Sequence, residues 1–347
     1  MSPVRPSGGG VVDAPTEVMI GCLEVLQPMR LPLVVGEPSG RLAAVLIARG
    51  ASPGEWLRQA VQGRADQARP WPDDDTPRDA ALIRLPKARD ALDLALHASA
   101  SKIAPGGPIA VFGANDEGVR SAAARLEAVA SSIVTLETRR HSRVIAGMRR
   151  PDIERLKGRL ADWRRVHEIE ILGLRRPWVA YPGVFAGGGL DAGTALLLAH
   201  LPPIAARARV LDFAAGTGVI AAGVLARQPQ ATIDMIEADA IALEAARENV
   251  PLAKPILGTG LPAEPERRYD LILSNPPIHD GIAESRAVLD RLIAGAPACL
   301  ASGGALVVVV QRRIPVLDAL QKAFGTGEIV ADDGRFTIAA ATTGKRR

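Results

Sequence analysis

The sequence repeats one pattern of segments in both of its halves, and this repeat constrains the fold more than any other feature. Three stretches of the first half align on three stretches of the second in the same order: 33–49 on 211–227, 81–90 on 271–280, and 105–113 on 302–310. Each copy reads as an apolar strand, a small-residue turn, a helix and further strands alternating with helices. Such a pattern predicts two tandem α/β domains of the Rossmann-like kind, each with a mostly parallel sheet.

The two copies differ at the positions that follow their strands. The second copy has Asp212, Gly216 and Asn275 where the first has Val34, Pro38 and Leu85. An open α/β sheet binds its ligands at the carboxyl ends of its strands, where these residues fall. We therefore expect the second domain to carry the chemistry, and the first to be a degenerate copy that serves as a scaffold or docks a partner.

A strongly basic stretch separates the two copies. Residues 139–165 contain ten Lys and Arg against three Asp and Glu, whereas the whole chain has a net charge of only +4. Apolar residues at helical spacing within it predict a basic connecting helix over 151–168. This divides the chain into a flexible tail (1–12), a degenerate domain (13–150), the helix, and a catalytic domain (169–347). The basic charges fit either a phosphate-docking surface or a solvated helix face.

Composition excludes several other classes of protein. The 347 residues include only two cysteines, Cys22 and Cys299, so neither a disulfide framework nor a metal site is expected. No apolar run approaches the ~20 residues that a membrane helix needs. The first ten residues lack the apolar core of a signal peptide. We therefore expect a soluble, cytoplasmic protein, without membrane or metal, that acts as a monomer.

The glycine-rich turn of the second half suggests a nucleotide cofactor. In ARVLDFAAGTGVIAAGVLA, Gly216 and Gly218 allow a sharp turn and a close approach of the backbone to a ligand, and the next helix offers free N–H groups. Glu237 ends the following strand about 20 residues later. A carboxylate at this position can accept hydrogen bonds from both ribose hydroxyls of a nucleoside cofactor. A nicotinamide site would have the same pattern, so the turn alone does not identify the cofactor.

The segment DLILSNPPIHDG indicates which group reacts. Asn275 offers an amide oxygen, and Pro276 offers a carbonyl oxygen on a backbone that the ring of Pro277 helps to fix. Together they can accept both hydrogens of an –NH₂ group. Fixed acceptors of this kind stabilise the positive charge that develops when such a nitrogen attacks. A dehydrogenase is disfavoured, because no acid or base for hydride transfer accompanies Asn275.

These motifs resemble a known family. VLDFAAGTG, Glu237 and SNPPIHDG, in this order, resemble class I S-adenosylmethionine-dependent methyltransferases that modify amino nitrogens. Together with residues 181–198 and the first-half segment FGANDEGVRSA, they are similar to the small-subunit (16S) ribosomal RNA guanine-N2 methyltransferases. The resemblance implies a degenerate methyltransferase domain followed by an active one with a seven-stranded sheet that contains one antiparallel strand. It also implies S-adenosyl-L-methionine as cofactor, and a guanine N2 amine of ribosomal RNA in the small ribosomal subunit as substrate.

The resemblance also assigns individual residues. By position, it places Asp212, Ala214, Gly216 and Gly218 in the cofactor loop and Glu237 on the ribose. It makes Asn275, Pro276 and Pro277 the catalytic turn, with Asn275 also beside the cofactor, and puts Phe185 and Asp191 near the methionine end. The expected substrate contacts are Ile278 and His279 on the target base and Arg149, Arg150, Arg164 and Arg165 on RNA.

Two departures from the family pattern leave alternatives open. Family members usually have phenylalanine after Asn-Pro-Pro, where this chain has Ile278, and base stacking is worth roughly 1–3 kcal/mol. No acid for the adenine follows the third strand, which leaves that contact to the backbone near Gly258 and Thr259. The alternatives are a large-subunit guanine, adenine N6 or a protein glutamine as acceptor, or a non-catalytic RNA-binding assembly factor.

Overall fold

A computed structural model of the chain describes residues 13–26, 29–72, 75–262, 268–277 and 283–344, with the backbone alone at 283–285. The predicted tail (1–12) and the predicted base contacts Ile278 and His279 lie outside these residues. The chain divides into two compact units. The first contains Met1–Leu57 and Trp71–Asp162, and the second contains Arg58–Pro70 and Trp163–Arg347. The short segment Arg58–Pro70 therefore belongs to the second unit, although we predicted one continuous first domain over 13–150.

The first unit is an α/β unit built on a six-stranded sheet. Its elements are α1 (Ala14–Gly21), β1 (Pro32–Val35), α2 (Arg41–Ala48), β2 (Gly54–Trp56), β3 (Ala80–Arg84), α3 (Arg89–Lys102), β4 (Pro108–Ala114), α4 (Ala122–Leu126), β5 (Ala130–Arg139) and β6 (Ser142–Arg149). The strand order is β2-β1-β3-β4-β6-β5, with the first four parallel and β6 antiparallel to both of its neighbours. Helices α1 and α2 cover one face of this sheet, with Met19 and Leu42 fully buried against it.

The second unit is built on a seven-stranded sheet and carries an additional hairpin. Its elements are β7 (Arg165–Ile171), β8 (Leu174–Ala180), α5 (Ala192–Ala199), β9 (Arg209–Phe213), α6 (Val219–Arg227), β10 (Thr232–Glu237), α7 (Ala240–Asn249), β11 (Lys254–Leu257), β12 (Tyr269–Ser274), α8 (Ala283–Cys299), β13 (Leu300–Gln311), α9 (Leu317–Phe324), β14 (Glu328–Asp332) and β15 (Phe336–Thr342). The strand order is β11-β10-β9-β12-β13-β15-β14, and only β15 runs antiparallel to its neighbours. The seven strands and the single antiparallel strand confirm the predicted architecture.

The core of the second unit lies on both faces of this sheet, because successive side chains of a strand point to opposite faces. Along β13, Val307 and Val309 face one apolar cluster, whereas Val308 and Val310 face the other. Residues of α5 and α6 pack in the first cluster, and residues of α8 and α9 in the second. None of the helices among the described residues combines the length and apolarity needed to cross a membrane.

The repeat seen in the sequence is present in the structure. The aligned stretches form matching elements: β1 and β9, α2 and α6, β3 and β12, β4 and β13. Gly40 and Gly218, which align, each precede the helix of their copy with a positive φ, +74° and +90°. Pro38 cannot reproduce Gly216, whose φ is +56°, because the proline ring fixes φ near −65°. The first copy therefore cannot form the ligand-approaching turn of the second.

The prediction of a helix over 151–168 is wrong. Its only helical part is one 3-10 turn at Leu160–Trp163, and β7 begins already at Arg165. Gly158 interrupts the apolar pattern with a residue that disfavours helix, and Asp162 accepts a hydrogen bond from the Arg159 N–H, which caps a single turn instead. Local side-chain bonding thus outweighs the helical spacing of the apolar residues.

Candidate active site

Three side chains that the sequence singles out lie at the same edge of the seven-stranded sheet. Asp212 is near the end of β9, Glu237 ends β10, and Asn275 directly follows β12. The central strand β9 pairs with both others, with Phe213 opposite Ile236 on one side and Ser274 on the other. The hydroxyl of Ser274 donates to the Phe213 carbonyl at 2.7 Å, which fixes the end of β12 against β9. The carboxyl edge of the sheet therefore assembles the predicted site.

The turn after β9 has the backbone geometry of a ligand-binding loop. Ala214, Gly216 and Gly218 all have positive φ, at +59°, +56° and +90°. A Cβ on Gly216 would meet no atom within 4 Å, so the backbone here faces open space. A Cβ on Gly218 would lie 2.9 Å from Val250 Cγ2, so this glycine is needed for packing against the end of α7. The two glycines thus serve different purposes: Gly216 leaves room for a ligand, and Gly218 lets the loop pack closely.

The carboxylate of Glu237 is held in place by backbone N–H groups. Its Oε2 accepts from Gly216 at 2.7 Å, and its Oε1 accepts from Ala238 and Asp239 at 2.8 Å each. Burial, with the Asp239 charge nearby, raises the pKa of Glu237 above its usual range. The side chain therefore links the glycine loop to the β10–α7 turn, and presents a fixed acceptor at the sheet edge.

Asp212 is fully buried and has one oxygen to spare. Its Oδ2 accepts from the Ala221 N–H in α6 at 3.0 Å, whereas its Oδ1 has no hydrogen-bond partner among the described residues. Burial raises the pKa of Asp212 to about 7. A buried carboxylate oxygen without a partner is costly, and a cationic or N–H-bearing ligand at this edge would relieve that cost.

The glycine loop rests on polar residues that the sequence analysis missed. The Trp178 indole N–H donates to the Thr217 hydroxyl at 3.0 Å, and that hydroxyl donates to the Gly188 carbonyl at 3.2 Å. The Asn249 side-chain amide donates to the carbonyls of Thr217 and Val179, at 3.1 and 3.0 Å. Thr217 lies between Gly216 and Gly218, and this position in the glycine motif could have indicated its role. Trp178 and Asn249 lie in distant parts of the sequence, which gave no such indication.

The Asn-Pro-Pro turn begins with an amide of fixed orientation. The Asn275 Nδ2 donates to Asp191 Oδ2 at 3.1 Å and to Thr194 Oγ1 at 2.9 Å, which leaves its Oδ1 without a partner among the described residues. Asp191 also caps α5, where its Oδ1 accepts from the N–H groups of Gly193 and Thr194. Pro276 is buried and Pro277 exposed. Thr194 was not predicted, since a threonine in the first turn of a helix carries no signal of such a contact.

Phe185 lies in a tight loop beside the site rather than in its core. It begins the 3-10 turn Phe185–Gly188, in which Ala186, Gly187 and Gly188 all have positive φ, and its side chain is 51% exposed. Thr217 holds this turn at Gly188, next to the glycine loop. The structure therefore leaves the Phe185 side chain accessible to a ligand.

The four arginines predicted to dock on RNA fall into two groups. Arg149 is occupied with the carbonyl oxygens of Ala100, Arg150 and Pro151, and Arg164 pairs with Glu248 at 2.9 Å. The side chains of Arg150 and Arg165 are exposed and make no ion pair among the described residues. The first two therefore have structural partners, whereas the other two are available to an anionic partner.

The strand order of the second unit, in which one antiparallel strand lies next to the edge, is that of class I S-adenosylmethionine-dependent methyltransferases. In this class a glycine loop after the first strand of the sheet and an acid after the second lie at the carboxyl edge, as Gly216 and Glu237 do here. Comparison with known proteins identifies the family within this class. The Methyltransferase small domain family model matches residues 177–340, and the Methyltransferase small domain N-terminal model matches residues 45–163.

Curated relatives share both halves of the chain. It is 30% identical over 264 residues to the ribosomal RNA small subunit methyltransferase C of Shewanella halifaxensis, covering 75% of this chain and 76% of the relative. The Shewanella oneidensis protein of the same name is 31% identical over 264 residues, covering 74% of this chain and 75% of the relative. The chain therefore belongs to the ribosomal RNA small subunit methyltransferase C family.

A solved structure shows the same fold over nearly the whole chain. The T. thermophilus 16S rRNA N2 G1207 methyltransferase, determined in complex with AdoMet and guanosine, superposes with a TM-score of 0.81 at 22% identity. The match covers 98% of this chain and 94% of that protein. Both units are therefore part of the shared fold.

Proposed function

We propose that this chain transfers a methyl group from S-adenosyl-L-methionine to the N2 amine of a guanine in small-subunit ribosomal RNA. The observation that carries the proposal is the fixed amide of Asn275, whose nitrogen is engaged by Asp191 and Thr194 and whose oxygen has no partner among the described residues. The names of the relatives support the substrate class. Such a substrate would place the enzyme in the cytoplasm. We propose that it acts there as a monomer.

The residues at the sheet edge fit the cofactor. The Asp212 Oδ1 is buried without a partner and suits a cationic group that carries N–H donors, such as the amino group of the methionine moiety. Glu237 is a fixed acceptor for the ribose hydroxyls. The open space at Gly216 admits a ligand against the backbone. Ala214, Gly218, Asp191 and Phe185 complete the proposed cofactor site. When bound, S-adenosyl-L-methionine supplies an electrophilic methyl group on a sulfonium.

The chain's own residues activate the amine mainly by positioning it. A guanine N2 amine is a weak nucleophile, because its lone pair is delocalised into the ring. The Asn275 Oδ1 and the Pro276 carbonyl can accept its two hydrogens, which favours a pyramidal nitrogen and stabilises the positive charge that forms on it. After transfer, the extra proton passes from nitrogen to solvent. Pro277 stiffens the turn, so the two acceptors need no rearrangement during the reaction.

The RNA partner is expected to contact both units. The exposed Arg150 belongs to the first unit and the exposed Arg165 to the second, and each can neutralise a phosphate. Arg149 and Arg164 support these positions through their own carbonyl and carboxylate contacts. Because the first unit lacks the glycine turn and the Asn-Pro-Pro sequence, we propose that it docks RNA rather than cofactor.

Calorimetric titration of S-adenosyl-L-methionine into the wild-type chain and into Gly216→Pro tests the cofactor site. We expect saturable binding to the wild type and none to the variant, because proline cannot adopt the φ of +56° found at this position. Mass-spectrometric mapping of small-subunit RNA from a deletion strain then identifies the base. Wild-type protein that binds no cofactor would overturn the proposal and favour a non-catalytic assembly factor.

A further inference from the structure

Arg58 stands in the N-terminal half of the sequence but belongs to the catalytic unit. Its guanidinium forms a two-point ion pair with Asp239, with Nε 2.8 Å from Oδ1 and Nη2 2.6 Å from Oδ2. Its Nη1 donates to the Pro182 carbonyl at 2.8 Å. The side chains of Arg58 and Asp239 are only 14% and 9% exposed. This cation therefore joins two loops of the catalytic unit, and it does so largely shielded from water.

The backbone around Arg58 reinforces the same connection. The Ala60 N–H donates to the Ala238 carbonyl at 2.7 Å, and the Ala240 N–H donates to the Arg58 carbonyl at 3.0 Å. Residues 58–60 thus lie along residues 238–240 as a short antiparallel bridge. Two N–H groups of that turn, those of Ala238 and Asp239, hold the Glu237 carboxylate. Whatever fixes this turn also fixes Glu237.

We propose that Arg58 is a positioning residue for Glu237, and that the segment Arg58–Pro70 is a structural part of the cofactor site. The inference rests on the proposed role of Glu237 as the ribose acid. Without the guanidinium, Asp239 would keep a nearly buried charge that has lost its partner, so the turn would move toward solvent. Pro182 would lose its contact with that turn at the same time. Both changes displace the acceptor for the ribose.

Arginine is required at this position for a geometric reason. Its planar fork reaches both oxygens of Asp239 and still has a third donor for the Pro182 carbonyl, whereas a lysine ammonium is a single point charge. Asp239→Asn is the complementary change, because asparagine is equally good at the start of α7. It removes the charge and replaces one of the two oxygens that accept from Arg58 with an amide donor. Arg58→Lys therefore keeps the charge and removes the fork, whereas Asp239→Asn removes the charge together with one acceptor.

The experiment measures S-adenosylhomocysteine affinity by calorimetry for the wild type, Arg58→Ala, Arg58→Lys, Asp239→Asn and Glu237→Gln. Arg64→Ala is the matched control, since it removes a cation from the same segment, and the Arg64 Nε donates to Gln67 within that segment. Steady-state kinetics on the same proteins separate KM for S-adenosyl-L-methionine from kcat. Thermal melting shows which variants are folded.

We expect Arg58→Ala to weaken binding about tenfold and Arg58→Lys to recover only part of this loss, because a buried charge and its hydrogen bonds are disturbed. KM should rise by a similar factor while kcat at saturating cofactor changes less than twofold, a split that general destabilisation would not produce. If Glu237→Gln loses affinity while Arg58→Ala, Arg58→Lys and Asp239→Asn bind as the wild type does, the inference about Arg58 fails and the cofactor site stands. If Glu237→Gln also binds normally, the proposed site itself is wrong.

A second, independent feature lies at the opposite, amino edge of the same sheet. A cavity of about 350 Å³ opens where β9, β10, β11 and β12 begin, and its lining includes four cations, Arg207, Arg209, Lys254 and Arg268. Its two acids are already engaged. Asp234 accepts from Arg209 Nη2 at 2.9 Å and from the Tyr269 hydroxyl at 2.7 Å, and Asp270 accepts from the Arg209 N–H at 2.8 Å.

Three of these cations have no carboxylate partner within the described residues. Arg207 and Lys254 are exposed, and among the described residues Arg268 donates to the carbonyl oxygens of Ala298 and Leu300. From this surplus we infer that the amino-edge cavity binds phosphodiester groups of the RNA substrate, away from the methylated base. Like the first, this inference rests on the proposed function, because that function supplies the RNA.

Filter binding of a small-subunit RNA fragment at several salt concentrations tests the cavity. We expect Arg207→Gln/Lys254→Gln to lower the slope of log affinity against log salt by roughly 1 to 2, since each phosphate contact contributes about 0.7–0.9. Arg291→Gln/Lys322→Gln, which removes two exposed cations from α8 and α9, is the matched control and should change the slope little. An unchanged slope in the cavity variant, with wild-type RNA binding intact, would overturn the inference. Equal losses in both double variants would also do so, because the effect would then be one of net charge alone.

Discussion

The side-chain nitrogen of Asn275 lies 2.9 Å from the hydroxyl oxygen of Thr194, and this contact orients the side-chain amide. The same nitrogen also donates a hydrogen bond to Asp191 Oδ2. With both hydrogens of the nitrogen engaged, the Oδ1 is the atom that remains for a substrate amine. Asp191 and Thr194, at the start of α5, thus determine the orientation of the Asn275 side-chain amide.

Replacing Asn275 with alanine removes the acceptor and leaves the fold largely intact, because the side chain is only partly buried. We expect the rate of methyl transfer to fall by about 10²–10³, the effect of losing one preorganised partner of a developing charge. Single-turnover assays with S-adenosyl-L-methionine in excess measure this step directly. Unchanged transfer in a variant that still binds cofactor would exclude the proposed catalytic role.

Thr194→Val keeps the shape of the threonine but removes the acceptor for Asn275 Nδ2. One lost hydrogen bond of about 1 kcal/mol corresponds to roughly a fivefold lower kcat, because the amide is then free to turn. Thr194→Ser retains the hydroxyl and is the matched control, which we expect to remain within about twofold of the wild type. Equal rates for the valine and serine variants would show that Asp191 alone orients the amide.

Cofactor affinity should depend on pH through Asp212. Burial raises the pKa of this carboxyl to about 7, so below that pH the free protein holds a proton there, while a cationic cofactor favours the ionised form. Binding then releases a proton, and affinity increases as pH rises through 7. Between pH 6 and pH 8 we expect a gain of about tenfold.

Calorimetry in buffers of different ionisation enthalpy detects the released proton. Asp212→Asn is the control and should reduce the pH dependence, because it removes the titrating carboxyl. Affinity that is equal at pH 6 and pH 8, without proton release, would show that Asp212 is already ionised in the free protein.

Ala214 has a φ of +59°, a conformation that costs a residue with a Cβ roughly 1–2 kcal/mol. Ala214→Gly removes that cost but gives the unfolded chain more freedom, so we expect a net gain of up to about 1 kcal/mol and a rise in melting temperature of about 2 °C. Ala226→Gly, at an exposed position of α6, is the control and should lose about 1 kcal/mol. A loss at both positions would mean that the alanine is accommodated without strain.

The sequence predicted the elements that repeat and the residues that stand at strand ends. Asp212, Glu237 and Asn275 could be placed at one edge because parallel strands align their carboxyl ends, and β9 was recognisable from its apolar run. The seven strands with a single antiparallel strand followed from the resemblance and agree with the structure. These features depend on local patterns that a single chain displays without any knowledge of its tertiary contacts.

Other features depend on contacts between distant residues and left no local signal. Thr194 looks like any residue in the first turn of a helix, and Arg58 lies 181 positions before its partner Asp239. The predicted helix over 151–168 failed for the opposite reason, because its apolar spacing was real but a capped single turn and Gly158 outweighed it. Contacts between distant residues thus added residues to the candidate site, whereas local bonding removed a predicted element.

Because Arg58–Pro70 belongs to the second unit, the boundary between the two halves of the sequence is not the boundary between the two units. A recombination event that exchanged the first half for that of a distant relative would also exchange part of the second unit. Because Arg58 pairs with Asp239, we expect substitutions at these two positions to depend on each other. The first half of the sequence lacks the glycine turn, yet it supplies residues 58–70 to the unit that has it.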